Sequence, residues 1–255
     1  MSSVVLMKRA FDEKSPTSGD VPSQAAPAQE RLQTDHTLDK HFGSYRLVER
    51  FIGSWLKPHS TSRILLLSGT SDLAEFIASC CKAGRIAAHI DAVESSSGLS
   101  DQARTGSSAN PHIHWIYGNP LTFESPATYD LVYCALTAHR WTEDETVILL
   151  RKARTQSHRF ALVSDLERGV VTNVGVTLLT RLVVRGAAAR EYGRRCIQEA
   201  YSWNELRDLG KRAGWESFYQ GRFLLCCQAI WLAKHDPAEI RQIAAPVPSA
   251  LPCPT

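Results

Sequence analysis

The 255-residue chain contains no C-x-x-C pair, no run of more than two consecutive Lys or Arg residues, and no internal repeat. Its 7 cysteines are an odd number, Cys80-Cys81 and Cys226-Cys227 are directly adjacent, and no Cys/His grouping has zinc-site spacing. His112-Ile113-His114 puts two rings on one face of a strand without a third ligand, so no metal is expected. Cys134, Cys226 and Cys227 lie inside apolar stretches, where a free thiol packs as a small hydrophobe. That reads as a reduced, cytoplasmic protein. An excess of one charge is also missing: 29 Lys and Arg against 26 Asp and Glu leave +3. Basic and acidic residues are interspersed, so nothing points to a nucleic-acid partner. Long hydrophobic runs are absent too. The most apolar stretch, 169–184, is interrupted by Thr172, Asn173, Thr177, Thr180 and Arg181, so no membrane span is expected. The opening MSSVVLMKRAF is too short and too weakly hydrophobic for a signal peptide.

What is there is an ordinary globular composition, 44% hydrophobic and 22% charged, which excludes a wholly disordered chain, a collagen-like repeat and a coiled coil. Residues 12–30 and the tail from 236 are rich in Pro, Ser and Ala without apolar periodicity. Disordered segments at 1–33 and 236–255 are therefore expected around one folded domain, 34–235. Within it, Phe42, Tyr45, Val48, Phe51, Ile52 and Trp55 recur every three or four residues and predict a helix over 38–57, stopped before Pro58. Strands are predicted at 63–67, 86–91, 112–117, 130–136 and 160–164. Helices fall at 73–81, 143–153, 170–185, and from the capping pair Ser202 and Glu205 to Gly214. Residues 215–220 and 223–232 read as a closing strand pair joined through Gly221-Arg222. The alternation predicts an α/β fold with an open, mostly parallel sheet covered on both faces.

In such a sheet, ligands bind beyond the carboxyl ends of the strands. Three ends carry polar signals. Ser68-Gly69-Thr70-Ser71 lies between a strand and a helix, where free N–H groups attract anions. Asp91, followed by Ala92, ends the second strand, where a carboxylate commonly takes ribose hydroxyls. Tyr117-Gly118-Asn119-Pro120 follows the third. Each is also ordinary turn or cap chemistry; together they point to an adenosine-bearing ligand.

From about Tyr45 to Lys234 the chain resembles the class I S-adenosylmethionine-dependent methyltransferases, in a bacterial small-molecule branch related to quinone-biosynthesis methyltransferases. The resemblance is carried by ILLLSGTSDLA, HIDA, YGNPLTF and YDLVYCALTAHRWTEDETVILLRKA, then FALVSDLER, VTLLTRL and AYSWNELRDLGKRAGW. It implies a Rossmann-like seven-stranded sheet ending in an antiparallel hairpin, and S-adenosylmethionine as cofactor. Ser68, Gly69, Thr70, Ser71, Asp91, Ala92, Gly118, Asn119, Pro120 and Ala135 are its implied contacts. The implied reaction is methyl transfer to a small phenolic or polyketide-like acceptor, with His139 as base, Asp165 and Arg168 lining the acceptor pocket, and Tyr45 as a lid. The family's first loop reads acidic-x-Gly-x-Gly-x-Gly. Here Leu65 stands at the acidic position, Leu67 and Ser71 replace the outer glycines, and only Gly69 remains. Three alternatives stay open: a methyltransferase fold without cofactor that serves as a partner subunit, an S-adenosylmethionine-binding enzyme that transfers no methyl, and a nucleotide-linked oxidoreductase. The last lacks its G-x-G-x-x-G signature.

Overall fold

A computed structural model gives the architecture, describing residues 43–94, 110–183, 187–223 and 227–234 together with Thr34, Thr37 and Lys40. The expected tails and the loop 95–109 lie outside these residues. Helix α1 (Ser44–Trp55) buries Leu47, Val48, Phe51, Ile52 and Trp55, the spacing that predicted it. It leads into β1 (Thr61–Leu67), α2 (Ser71–Ala83), β2 (Ala87–Glu94), β3 (Ile113–Tyr117) and β4 (Tyr129–Ala135). A single 3₁₀ turn (Ala138–Arg140) then precedes α3 (Glu143–Gln156), β5 (Ser157–Leu166), α4 (Val170–Val183), α5 (Ala187–Glu199), α6 (Trp203–Arg212), β6 (Tyr219–Phe223) and β7 (Cys227–Ala233). No helix among the described residues is long and apolar enough to cross a membrane.

The seven strands lie in the order β3-β2-β1-β4-β5-β7-β6, parallel except that β7 runs antiparallel to both its neighbours. The order turns between β1 and β4, the switch point beyond which open sheets of this kind take their ligands. Ile64, Leu65, Leu66 and Leu67 are all buried because both faces of β1 are covered, and a strand covered on both sides reads as a continuous apolar run. Ile64 and Leu66 join the core under α1 and α2, where Trp55 stacks on Phe160. Leu65 and Leu67 join the core under α3 and α6.

Two expectations are corrected. Gly221-Arg222 is not the hairpin connection but the middle of β6, where Gly221 pairs with Ala229. A Cβ at Gly221 would meet the Trp231 ring at 3.0 Å, so the glycine serves close packing inside a strand rather than a turn. The stretch before Ser202 also contains an unexpected helix. The buried side of α5 is Ala189, Gly193, Cys196 and Ile197, of which only Ile197 is a large apolar residue, so the periodic signal is weak. Helix α5 packs against α4 and the 3₁₀ turn. With Leu136, Leu166 and Ala200, its Cys196 and Ile197 form a third apolar cluster at the carboxyl ends of β4 and β5.

Candidate active site

Beyond β4, the 3₁₀ turn places His139 against the end of β5. The Asp165 carboxylate takes two bonds from this one residue, from the backbone N at 2.6 Å and the ring Nδ1 at 2.6 Å. A third reaches it from Leu166 N at 2.8 Å. Both side chains are buried. The turn is itself pinned: Thr146 Oγ1 bonds Ala138 O at 3.4 Å, and the Tyr201 hydroxyl donates to Trp141 O at 2.9 Å. With Nδ1 committed to Asp165, Nε2 makes no hydrogen bond of ordinary geometry, and the Cys196 thiol is its neighbour on α5. Burial disfavours the charged ring, but the Asp165 carboxylate and then Cys196 outweigh it and hold the histidine pKa well above its ordinary value. His139 and Asp165, expected in separate roles, are thus one buried unit. Asp165 is correspondingly not a wall of an open acceptor pocket.

At the crevice between β1 and β4, Ser68 is buried, and its Oγ donates to Thr137 Oγ1 at 3.0 Å. Its backbone joins three strands: Ser68 N donates to Val93 O at 3.1 Å, and Ser68 O accepts from Ala135 N at 3.3 Å. Gly69, Thr70 and Ser71 are partly exposed. Thr70 caps α2, its side chain accepting from Leu73 N. Ala135 is buried in the core beneath α1 and α2.

Asp91 does not end its strand. It sits within β2, opposite Leu65 and His114. Its carboxylate accepts from the Tyr129 hydroxyl at 2.8 Å and meets His114 Nδ1 at 3.1 Å and Arg63 at 3.5 Å. Ala92 likewise packs into the core. The acidic residue that does end β2 is Glu94, one step past the Leu67–Val93 pair and 6% exposed. The signal for it was the continuation of the strand through Ala92-Val93. Glu94 O accepts from Gly118 N at 3.0 Å, joining the β2 and β3 ends. A Cβ at Gly118 would meet nothing within 4 Å. Asn119 is exposed and closes its turn by accepting from Leu121 N at 2.9 Å, while Pro120 is buried.

The two remaining expected residues are engaged elsewhere. Tyr45 stacks on Phe76 with ring centroids 4.2 Å apart, in the seam between α1 and α2. Arg168 is exposed and bonds both oxygens of Glu205 at 2.6 Å, tying the end of β5 to the start of α6.

No family model matches the sequence, and no curated protein matches it. Solved structures do. The plantazolicin methyltransferase BpumL, solved with SAH and a triazolic desmethylPZN analogue, superposes with a TM-score of 0.63 at 12% identity, over 84% of this chain and 93% of that one. The chain has the class I methyltransferase fold. Human N-acetylserotonin methyltransferase, solved with SAM, is similar at a TM-score of 0.55 and 17% identity, over 91% of this chain and 66% of the human one. A putative O-methyltransferase from Nostoc punctiforme PCC 73102 gives 0.52 and 17%, over 80% and 60%.

Judged on its own residues, this methyltransferase fold has groups suited to an adenosine-bearing cofactor. Glu94 is a buried carboxylate at a strand end, an acceptor of the kind to which ribose hydroxyls donate. Gly118 leaves open space beside it. The first loop differs: Leu65 and Leu67, each fully buried, turn into the core under α3 and α6. The polar side chains there are instead the hydroxyls of Ser68 and Thr137.

Proposed function

We propose that the protein transfers a methyl group from S-adenosylmethionine to a hydroxyl of a small, phenolic or polyketide-like acceptor. The observation that carries this reading is the buried His139–Asp165 pair at the carboxyl end of the sheet, with Nδ1 held by Asp165 and the Cys196 thiol beside the ring. Glu94 would hold the ribose, Gly118 and Asn119 would flank the adenine, and Gly69 to Ser71 would edge the cofactor at the start of α2. When bound, the cofactor supplies an electrophilic sulfonium methyl. The chain's own contribution is proximity and a base. Asp165 fixes Nδ1–H and the ring plane, so Nε2 is the atom that takes the acceptor's proton, and the carboxylate stabilises the imidazolium that forms. The elevated ring pKa means that the neutral, proton-accepting form grows as pH rises. Helix α5, through Cys196, forms the wall on the acceptor side.

Titration calorimetry with S-adenosylhomocysteine, together with its release from labelled cofactor over a panel of phenols, tests the reading. His139→Ala should retain binding and lose turnover. Turnover that survives in His139→Ala removes the base. The buried Leu65 and Leu67 support a second reading, a methyltransferase fold that serves as a partner subunit without cofactor. Absence of binding at millimolar ligand would select it.

A further inference from the structure

The buried His139–Asp165 unit has a fixed side and a loose side. The strand side is fixed by hydrogen bonds into the sheet. Ser68, directly after β1, and Leu136, directly after β4, are non-glycine residues with φ of 79° and 42°, conformations that persist where surrounding contacts over-determine them. Leu136 N donates to Ser164 O at 2.9 Å, while Ser68 is bonded to Val93, Ala135 and Thr137. The 3₁₀ turn that carries His139 is pinned by Thr146 and Tyr201. The other side is α5. Only one of its four buried residues, Ile197, is a large apolar one. The ion pairs of Glu191 with Arg194 and Arg195 run along the helix rather than into the sheet. Segments with so few buried apolar contacts are the ones that open locally.

Helices α4 and α5 leave the sheet after β5 and return before α6, and the two feet of this excursion are joined. Arg168 N donates to Tyr201 O at 3.1 Å, and Gln228 Nε2 on β7 donates to the same carbonyl at 2.6 Å. Beyond that clip, α4 packs on α5 and leaves Val170, Val174 and Leu178 exposed, four residues apart. The pair can therefore tilt on its base without breaking a strand. Inside, Cys196 lies beside the His139 ring, and the two residues are 3% and 5% exposed. Nδ1 is taken by Asp165, and Nε2 is buried, so the base meets no acceptor until a cover leaves. A thiol is a weak donor, and a phenolic hydroxyl is the stronger partner for the same nitrogen. We propose that the Cys196 thiol holds the place of the acceptor hydroxyl beside His139, and that α4 and α5 tilt on the Arg168–Tyr201 clip to withdraw it. Leu136, Leu166 and Ile197 line that place, which suits an apolar ring with a hydroxyl at its edge. The acceptor's part of this inference rests on the proposed function; the opening does not.

Iodoacetamide labelling of the native protein, resolved by peptide mass spectrometry, tests the opening with Cys134 as internal reference. Cys134 lies in β4 and is 0% exposed, so it reacts through global unfolding, and its rate should climb with urea. Cys196 should react at least about a hundred-fold faster, at a rate nearly independent of low urea, because local opening exposes little surface. Leu67→Ala lowers global stability, so it should speed Cys134 at least about ten-fold and leave Cys196 unchanged. Equal rates with equal urea dependence overturn the inference, because α5 then opens only with the whole domain. The labelled protein tests the place of the thiol. A carbamidomethyl group on Cys196 should abolish turnover over the phenol panel while S-adenosylhomocysteine affinity is kept, and Cys196→Ala given the same reagent should keep its turnover. Turnover that survives full labelling of Cys196 overturns its standing in the acceptor's place. If the unaltered protein binds no S-adenosylhomocysteine, the methyl-transfer reading falls together with the acceptor's part, and the labelling rates still decide the opening.

Discussion

The two ends of the sheet's carboxyl edge between β1 and β5 are built from different materials. On the β1 side, leucines occupy the positions where the resembling family carries a carboxylate and a glycine, and they are packed as core. On the β4 and β5 side, a histidine and an aspartate are buried together at hydrogen-bond distance with a turn pinned around them. Burying apolar groups needs no partner, whereas burying two ionisable groups is tolerated only when they satisfy each other. The first end is therefore explained by packing alone. The second is held at an energetic disadvantage that apolar residues of similar size would avoid, which is why the functional reading leans on it.

The largest effects should come from breaking the second end. Asp165→Ala leaves the His139 ring buried without its partner, and loss of one member of such a pair costs about 3–5 kcal/mol. Urea unfolding should report it, and a loss below about 1 kcal/mol, the value of an exposed pair, shows that the two groups do not act as a unit. At the other end, Leu67→Ala should cost about 2–5 kcal/mol as an ordinary core truncation, by the same measurement. A stable Leu67→Ala with tighter S-adenosylhomocysteine binding would instead mean that Leu67 borders the ligand.

A third, smaller effect depends on pH. The folded pKa of His139 lies above its unfolded value, so between the two the folded state holds the extra proton. Stability from the pair is complete below about pH 6.5 and declines as pH rises through the folded pKa. Thermal midpoints followed upward from pH 6 should fall in the unaltered protein, and the slope should flatten in His139→Gln. Equal slopes would place the proton elsewhere. The smallest effect is expected for Ser68→Gly. Relief of the left-handed backbone, roughly 1 kcal/mol, offsets the loss of one hydrogen bond of about 1 kcal/mol, so the unfolding midpoint should barely move. A large destabilisation would make the Ser68–Thr137 bond a structural clamp.

The sequence by itself determined the alternation of strands and helices. It also located α1, β1 and the start of α6, because those signals are local: three- or four-residue spacing, a short apolar run, a capping pair. It did not locate α5, whose buried side has Ile197 as its one large apolar residue, and it took Gly221 for a turn because the crowding that requires it comes from Trp231 on the neighbouring strand. His139, Asp165 and Ser68 were legible as residues, but their relations were not. His139 meets Asp165 across 26 positions, and Ser68 meets Thr137 across 69. Sheet register alone decides such meetings. Register also put Asp91 into mid-strand contacts with Tyr129 and His114 and gave the strand end to Glu94. A side-chain period of two residues tells which face a residue occupies, but where a strand stops beside its neighbours depends on pairing with segments far away in the chain.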